Sequence, residues 1–195
     1  ESVMSELKNK RIITIATTGA WPKKENNPNV PMTPAEIAED VYECWQAGAA
    51  MAHLHMRDEN GNGTMDKNKF RETVELLRKN HPDCDIIINC SSSGASKAHP
   101  ATDEERMAHH RELPGIEMGS YDAGTFNWMP AGVFLNTPQF LEKLGDLYME
   151  RGIKGEMGWK FGRPLAILFA VSLFMMVLQG SGAYTVGETL SASFG

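Results

Sequence analysis

Ala52-His53-Leu54-His55-Met56-Arg57-Asp58 is a short, largely apolar run that contains two histidines one residue apart. Such a run is typical of a buried β-strand, whose side chains alternate between faces, so His53 and His55 should point the same way. A turn rich in Asn and Gly follows at residues 59–63, which puts the pair near the carboxyl end of the strand. In parallel α/β folds binding sites lie at that end, and two converging imidazoles can share a cation. A pair of hydrogen-bonded core histidines is the alternative.

Strands and helices alternate along the rest of the chain. Three more apolar runs predict buried strands at residues 11–16, 85–90 and 116–122. Each of the four predicted helices begins at a residue that can cap it: Thr33, Asp66, Thr102 and Thr137. Four βα units in succession predict a parallel sheet with right-handed crossovers.

Two α/β architectures fit this alternation. A (β/α)8 TIM barrel normally needs roughly 250 residues, so a chain of 195 residues would contain only its first four to five βα units. An open, doubly wound sheet fits the length better. However, no glycine-rich dinucleotide fingerprint follows the first strand, where Thr17-Thr18-Gly19-Ala20 stands. Spacing alone leaves both architectures open.

Composition argues against several classes of function. A net charge of −6 and a pI near 5.5 disfavour a nucleic-acid-binding surface. The cysteines Cys44, Cys84 and Cys90 form no CxxC motif and lie in or beside apolar segments. They indicate buried, reduced thiols and a cytoplasmic location. The first residues carry no secretory signal pattern.

Several segments together resemble the β-keto acid cleavage enzymes, the family of 3-keto-5-aminohexanoate cleavage enzymes. They follow the family's order and spacing over residues 10–157, and the His-x-His motif in this frame is the most specific of them. The matching segments are Thr18-Gly19-Ala20, His53-Leu54-His55-Met56-Arg57-Asp58, Ser91-Ser92-Ser93-Gly94 and residues 29–36, 47–50, 123–127, 136–138 and 151–154.

The resemblance implies a zinc-dependent TIM barrel in which a β-keto acid and acetyl-CoA exchange to give acetoacetate and a new acyl-CoA. His53 and His55 would then be two Zn²⁺ ligands. Two positions after the third strand would contact the substrate's carboxylate and keto oxygen, and two at the end of the fourth would add further contacts. These substrate-binding positions are Ser91 and Gly94, then Ser120 and Asp122. The family's third ligand, a glutamate of the later half of the barrel, and its acid/base residues match no position here, so no catalytic residue is assigned.

Two positions depart from the family pattern. Trp21 stands where an acidic, substrate-facing residue is common, which suggests an apolar substrate side chain instead of an amino-bearing one. Asp122 replaces the usual asparagine. A carboxylate there would repel an anionic substrate unless a cation or a proton offsets its charge.

The predicted organisation is residues 1–156 as the N-terminal part of a TIM barrel and residues 157–195 as an unmatched apolar tail. The tail has a basic start, an apolar run at residues 164–178 and a small-x-small end, which is the layout of a secretory signal peptide. The run is short for a transmembrane helix, so membrane association is not expected. A foreign or frameshifted segment is the favoured explanation, ahead of a divergent buried helix and of membrane attachment.

Zinc-dependent β-keto acid cleavage, or an inactive fragment of such an enzyme, is the function that these patterns favour. A metal-dependent hydrolase barrel is one alternative, although such barrels commonly place His-x-His on the first strand, and here a βα unit precedes it. A non-catalytic, truncated barrel is the other. A partial barrel leaves two sheet edges uncovered, so we expect a poorly stable chain or a homo-oligomer.

Overall fold

The computed structural model describes residues 11–93, 100–128 and 132–157. Its helices are α1 (Pro34–Gln46), α2 (Lys67–Asn80), α3 (Asp103–Glu112) and α4 (Pro138–Arg151). Its strands are β1 (Thr14–Ile15), β2 (Met51–Leu54), β3 (Met56–Arg57), β4 (Gly63–Thr64), β5 (Ile87–Cys90), β6 (Met118–Tyr121), β7 (Phe126–Trp128), β8 (Gly132–Phe134) and β9 (Lys154–Met157).

The central sheet contains five parallel strands in the order β1-β2-β5-β6-β9. The strands of this sheet follow one another in the same order as in the chain. A doubly wound sheet, by contrast, reverses its strand order at a switch point. The helices follow the same order, since α1 contacts α2, α2 contacts α3 and α3 contacts α4. The fold class is therefore α/β, with the arrangement of the first five strands of a (β/α)8 barrel.

Local sequence signals set the helix starts, as predicted. Each N-cap side chain accepts a backbone N–H bond from the first turn, at Thr33, Asp66, Thr102 and Thr137. In α1 and α3 the Thr and a Glu three residues later complete a capping box. These bonds satisfy N–H groups that have no partner within the helix itself.

The core lies between the helices and one face of the sheet. Ala52 and Leu54 of β2 and Ile88 and Cys90 of β5 belong to it and are at most 2% exposed. The largest helix side chains packed into the same core are Ile37, Phe70, Leu77, Met107, Phe140 and Leu144. The intervening positions, His53 and Asn89, lie on the opposite face because strand side chains alternate. The three cysteines are free, as expected; Cys84 and Cys90 are buried as predicted, whereas Cys44 is only partly buried.

The first strand differs from the expectation. Residues 11–16 predict a strand buried on both faces, but β1 contains only Thr14–Ile15, and Ile12 and Ile13 are 77% and 52% exposed. Among the described residues β1 pairs with β2 alone. The prediction of a fully buried strand is wrong: Ile12 and Ile13 precede this two-residue strand, and at the edge of the sheet no second neighbouring strand among the described residues helps to cover its side chains. Two short antiparallel hairpins, β3–β4 and β7–β8, were also not expected.

None of the described helices combines the length and the apolar content that crossing a membrane requires. The predicted tail lies outside the described residues except for Met157, which ends β9. Gly94, one of the predicted substrate contacts, also lies outside them.

Candidate functional site

The two histidines lie side by side at the carboxyl end of β2. Their ring centroids are 4.7 Å apart, with the planes inclined by 56°. His53 is the second-last residue of β2, and His55 directly follows Leu54, the last residue of that strand. The side chain of His53 is only 16% exposed. The alternation read from the sequence thus places two imidazoles together at the edge where barrel folds build their sites.

A carboxylate from the edge strand β9 lies beside His53. Glu156 of β9 places Oε2 3.2 Å from Nδ1 of His53, although the two residues are 103 positions apart in the chain. The same oxygen accepts a hydrogen bond from Nδ2 of Asn89, which is opposite His53 on β5 and fully buried. His53, Asn89 and Glu156 therefore form a polar cluster on the face of the sheet that the helices do not cover.

Asn89 and Glu156 were not predicted as site residues from the sequence. The signal for Asn89 was available, because an amide within the run Ile86-Ile87-Ile88-Asn89-Cys90 must find partners once it is buried. Glu156 gave no such signal. Its contact with His53 depends on β9 lying near β2 in the folded sheet, across β5 and β6.

The chemistry of this cluster fits a zinc ion in part. A carboxylate at Nδ1 of a histidine fixes the ring and leaves Nε2 free to bind a metal, which is the usual outer-shell arrangement around metal-bound histidines. Imidazole nitrogens are common zinc ligands, and catalytic sites take three protein ligands. Within the described part of the chain, no group of three His, Cys, Asp or Glu residues could hold a metal. The residues present could supply two imidazole ligands and one orienting carboxylate, so they fit a three-ligand zinc site only in part.

The serine turn after β5 is joined to the end of β6. Ser92 donates its N–H to Oγ of Ser120 at 2.7 Å, and its hydroxyl donates to the Ser120 carbonyl oxygen at 2.7 Å. The hydroxyls of Ser91 and Ser93 lie 2.6 Å apart. Two of the predicted substrate contacts, Ser91 and Ser120, are thereby brought to neighbouring positions, and Ser92, which the sequence did not single out, connects them.

Helix α3 presents an unexpectedly polar buried face to these strand ends. His109 has Nε2 3.0 Å from the carbonyl oxygen of Ser91, and since a carbonyl only accepts, Nε2 carries the proton. Tyr148 of α4 donates to the carbonyl oxygen of Ser120 at 3.0 Å and lies 3.2 Å from Nε2 of His110. Burial lowers the pKa of His109 to about 4 and that of His110 well below its usual value, so both rings are neutral near pH 7.

Two other polar groups have clear local roles. Arg57 is 2% exposed, and its guanidinium donates to the carbonyl oxygens of Gly19 and Pro22 at 2.8 and 3.2 Å, which holds the loop after β1. Trp21 of that loop is 61% exposed. Cys90 is fully buried, and burial strongly raises the pKa of its thiol, so it is a core residue, as interpreted from the sequence.

The sheet has the strand order of a barrel, and its histidine–carboxylate cluster lies at the carboxyl ends of the strands. Barrel folds place their functional sites at that end. The chain belongs to the beta-keto acid cleavage enzyme family, whose model matches residues 10–159. This agrees with the resemblance seen in the sequence.

Curated relatives match the same region. The 3-keto-5-aminohexanoate cleavage enzyme of Fusobacterium nucleatum subsp. nucleatum is 40% identical over 148 residues, which is 76% of this chain and 52% of the relative. That of Acetoanaerobium sticklandii is 37% identical, over 75% of this chain and 51% of the relative. A 3-oxoadipate:acetyl-CoA acetyltransferase of Cupriavidus necator is 32% identical, over 75% and 48%. The chain spans about half the length of these relatives.

Solved structures share the fold. The apo structure of ObcA and its ternary complex with C4-CoA adduct and oxalate both give a TM-score of 0.59 at 24% sequence identity. The similarity covers 67% of this chain and 30% and 31% of theirs. At this level of identity the similarity supports the fold alone.

Proposed function

We propose that this chain forms the zinc- and substrate-binding part of a β-keto acid cleavage enzyme. In the proposed reaction a β-keto acid and acetyl-CoA exchange acyl groups, giving acetoacetate and a new acyl-CoA. The observation that carries the proposal is the cluster of His53, His55, Asn89 and Glu156 at the carboxyl edge of the sheet. It occurs in a chain of this family, some of whose members are named as acetyl-CoA transferases.

The histidines are the proposed zinc ligands. Glu156, which accepts a hydrogen bond from Asn89, orients the ring of His53 through Nδ1 and leaves Nε2 for the metal. When bound, Zn²⁺ would supply a Lewis acid for the keto oxygen of the substrate. A third protein ligand would have to come from outside the described residues, as the family's glutamate from the later half of the barrel does.

The serine turn is the proposed site for the substrate carboxylate. Ser91 and Ser93 share one short hydroxyl–hydroxyl bond, and since only one of them donates in it, one O–H remains for a substrate oxygen. Ser92 and Ser120 fix the backbone of the turn. Because the turn is pre-formed, binding would not have to order it, which favours affinity.

Trp21 favours a β-keto acid with an apolar chain. It replaces the acidic residue that the family commonly has at this position, and it is exposed on the loop after β1. An indole offers an apolar surface with one N–H donor and no negative charge for an amino group. The three free cysteines also support a reducing, cytoplasmic location for this chemistry.

The metal-dependent hydrolase alternative is less well supported. Such barrels commonly place His-x-His on the first strand, whereas here it lies at the end of β2, the second strand of the sheet. Measurements of bound zinc and of acetoacetate formation distinguish the non-catalytic alternative from the proposed enzyme.

Metal content and product formation test the proposed function. With zinc added, we expect the chain to bind about one zinc ion, weakly because only two histidine ligands are present, and we expect His53→Ala and His55→Ala to lose it. Glu156→Gln should weaken zinc binding about 10–100-fold, because an outer-shell carboxylate orients its ligand. His81→Ala, at the carboxyl end of α2, is the matched control and should keep the metal.

Zinc that is retained equally by all four variants would contradict the proposed site. With 3-oxohexanoate, acetyl-CoA and zinc present, formation of acetoacetate supports the enzyme. Bound zinc without acetoacetate would leave a metal-binding barrel fragment that is not catalytic.

A further inference from the structure

Arg106 of α3 is a buried cation whose role is not explained by its own helix. The residue is 5% exposed. Asp103 is 3.8 Å away and half-exposed, which makes it a weak counterion. Burial lowers the pKa of Arg106, while the charges of Asp103 and Asp122 oppose that shift, so the guanidinium stays charged. Because removing a charge from water costs free energy, a buried guanidinium needs strong hydrogen-bond partners.

The guanidinium finds its partners on two different loops. Nε donates to the carbonyl oxygen of Ser92 at 2.8 Å, on the turn that follows β5. Nη1 donates to the carbonyl oxygen of Leu135 at 3.1 Å, and Nη2 donates to Oδ1 of Asn136, both on the connection that follows β6. The ring of Phe140 lies against the guanidinium, with its centroid 3.8 Å from Cζ. One rigid planar group therefore joins the two loops.

Asn136 extends this link along the second loop. Its Nδ2 donates to the carbonyl oxygen of Gly124 at 3.0 Å, and its N–H donates to Oγ1 of Thr125 at 3.1 Å. Gly124 and Thr125 directly follow the segment that contains Asp122. Arg106 thus fixes the serine turn and the segment of Asp122 relative to each other, through contacts that a shorter or non-planar cation could not all make.

We propose that Arg106 is the positioning residue of the substrate site, holding the loops after β5 and β6 in one arrangement. Its importance for the substrate rests on the proposed function, in which an anionic β-keto acid binds between these loops.

Amide hydrogen exchange tests the positioning role without any ligand. Arg106→Lys keeps the charge but cannot hold three acceptors in a plane, so the N–H groups of Ser92 and Asn136 should both exchange about tenfold faster or more. Arg111→Lys, on the same helix and paired at the surface with Glu104, is the control and should leave both amides unchanged. Unchanged exchange in a folded Arg106→Lys variant, or a change at only one of the two amides, would overturn the positioning role.

Binding of acetoacetate, measured by titration calorimetry, tests whether this arrangement serves the substrate. Arg106→Lys should weaken binding about tenfold or more because the loops are no longer pre-organised, whereas Arg111→Lys should leave the affinity unchanged. An unchanged affinity in a folded Arg106→Lys variant would refute the role at the substrate. If the unaltered chain binds no acetoacetate, the proposed function fails at this site, and the exchange measurement still decides whether Arg106 links the loops.

Discussion

His109 shows how one buried side chain couples the candidate site to the stability of the fold. Its ring stacks on Phe70, with centroids 4.1 Å apart, while its Nε2–H holds the carbonyl oxygen of Ser91. The ring fills part of the core and at the same time satisfies a carbonyl of the serine turn. The neutral imidazole suits both the packing and the hydrogen bond, because burying a charged imidazole here would cost its hydration free energy.

The depressed pKa of His109 predicts acid sensitivity. Between pH 6.5 and about 4 the unfolded chain binds a proton that the folded chain excludes, so stability is complete above pH 6.5 and falls as the pH is lowered. The loss reaches about 3 kcal/mol at most, from roughly 1.4 kcal/mol per pKa unit. His109→Gln, which keeps an N–H donor, should flatten the pH dependence of the free energy of unfolding between pH 7.5 and 5.

Urea denaturation at several pH values measures this effect. His110 is shifted in the same direction, so some slope should remain in the variant. A slope in His109→Gln as steep as that of the unaltered chain would show that His109 does not carry the effect.

At the scale of elements, β6 and the helices behind it approach closely at Gly119. A Cβ built there would collide with Oη of Tyr148 and lie 2.6 Å from Cε1 of His110. Both side chains belong to the hydrogen-bonded chain that ends on the carbonyl oxygen of Ser120. The absence of a side chain at Gly119 therefore lets α3 and α4 reach the strand that carries a candidate substrate contact.

Gly119→Ala should destabilise the chain by about 1–3 kcal/mol or more, because the core there is already full. Gly155→Ala is the matched control, since Gly155 is the register partner of Gly119 on β9 and its Cβ would meet only ordinary contacts, the nearest at 3.4 Å. It should leave stability unchanged or raise it by up to about 1 kcal/mol. Thermal denaturation compares the two, and Tyr148→Phe should recover part of the loss in Gly119→Ala. Equal effects of the two alanines would argue against the close approach.

At the scale of the whole molecule, the five-stranded sheet has open edges among the described residues. β1 and β9 each pair with one neighbour only. Ile12, Ile13 and Met157, at or beside these strands, are more than half exposed. Unpaired strand edges with apolar side chains favour association with another chain.

We predict that the chain self-associates and that Met157→Lys weakens the association, because a charge on an edge strand opposes pairing. The weight-average mass from light scattering should exceed 21.6 kDa for the unaltered chain and move towards it in the variant. Met149→Lys places the same charge on a methionine of α4 that is more exposed still, at 78% against 55% for Met157, and lies away from the edge, so it should have no effect. A monomer at all concentrations, or equal effects of both lysines, would refute the prediction.

The sequence by itself determined those features that depend on neighbouring residues. Thr33, Asp66, Thr102 and Thr137 mark the helix starts because capping bonds span only two or three residues. The shared face of His53 and His55 follows from the period of a strand. Family likeness, carried by motifs in a fixed order, was also readable and was confirmed.

Only the tertiary structure decided which distant groups meet. Barrel order rather than a doubly wound sheet depends on strand pairing, which the alternation of elements leaves open. Glu156 contacts His53 over 103 residues, and Arg106 joins two loops that follow different strands. No periodicity encodes such contacts, because they arise where the packed strands and helices place long polar side chains beside buried partners that must be satisfied.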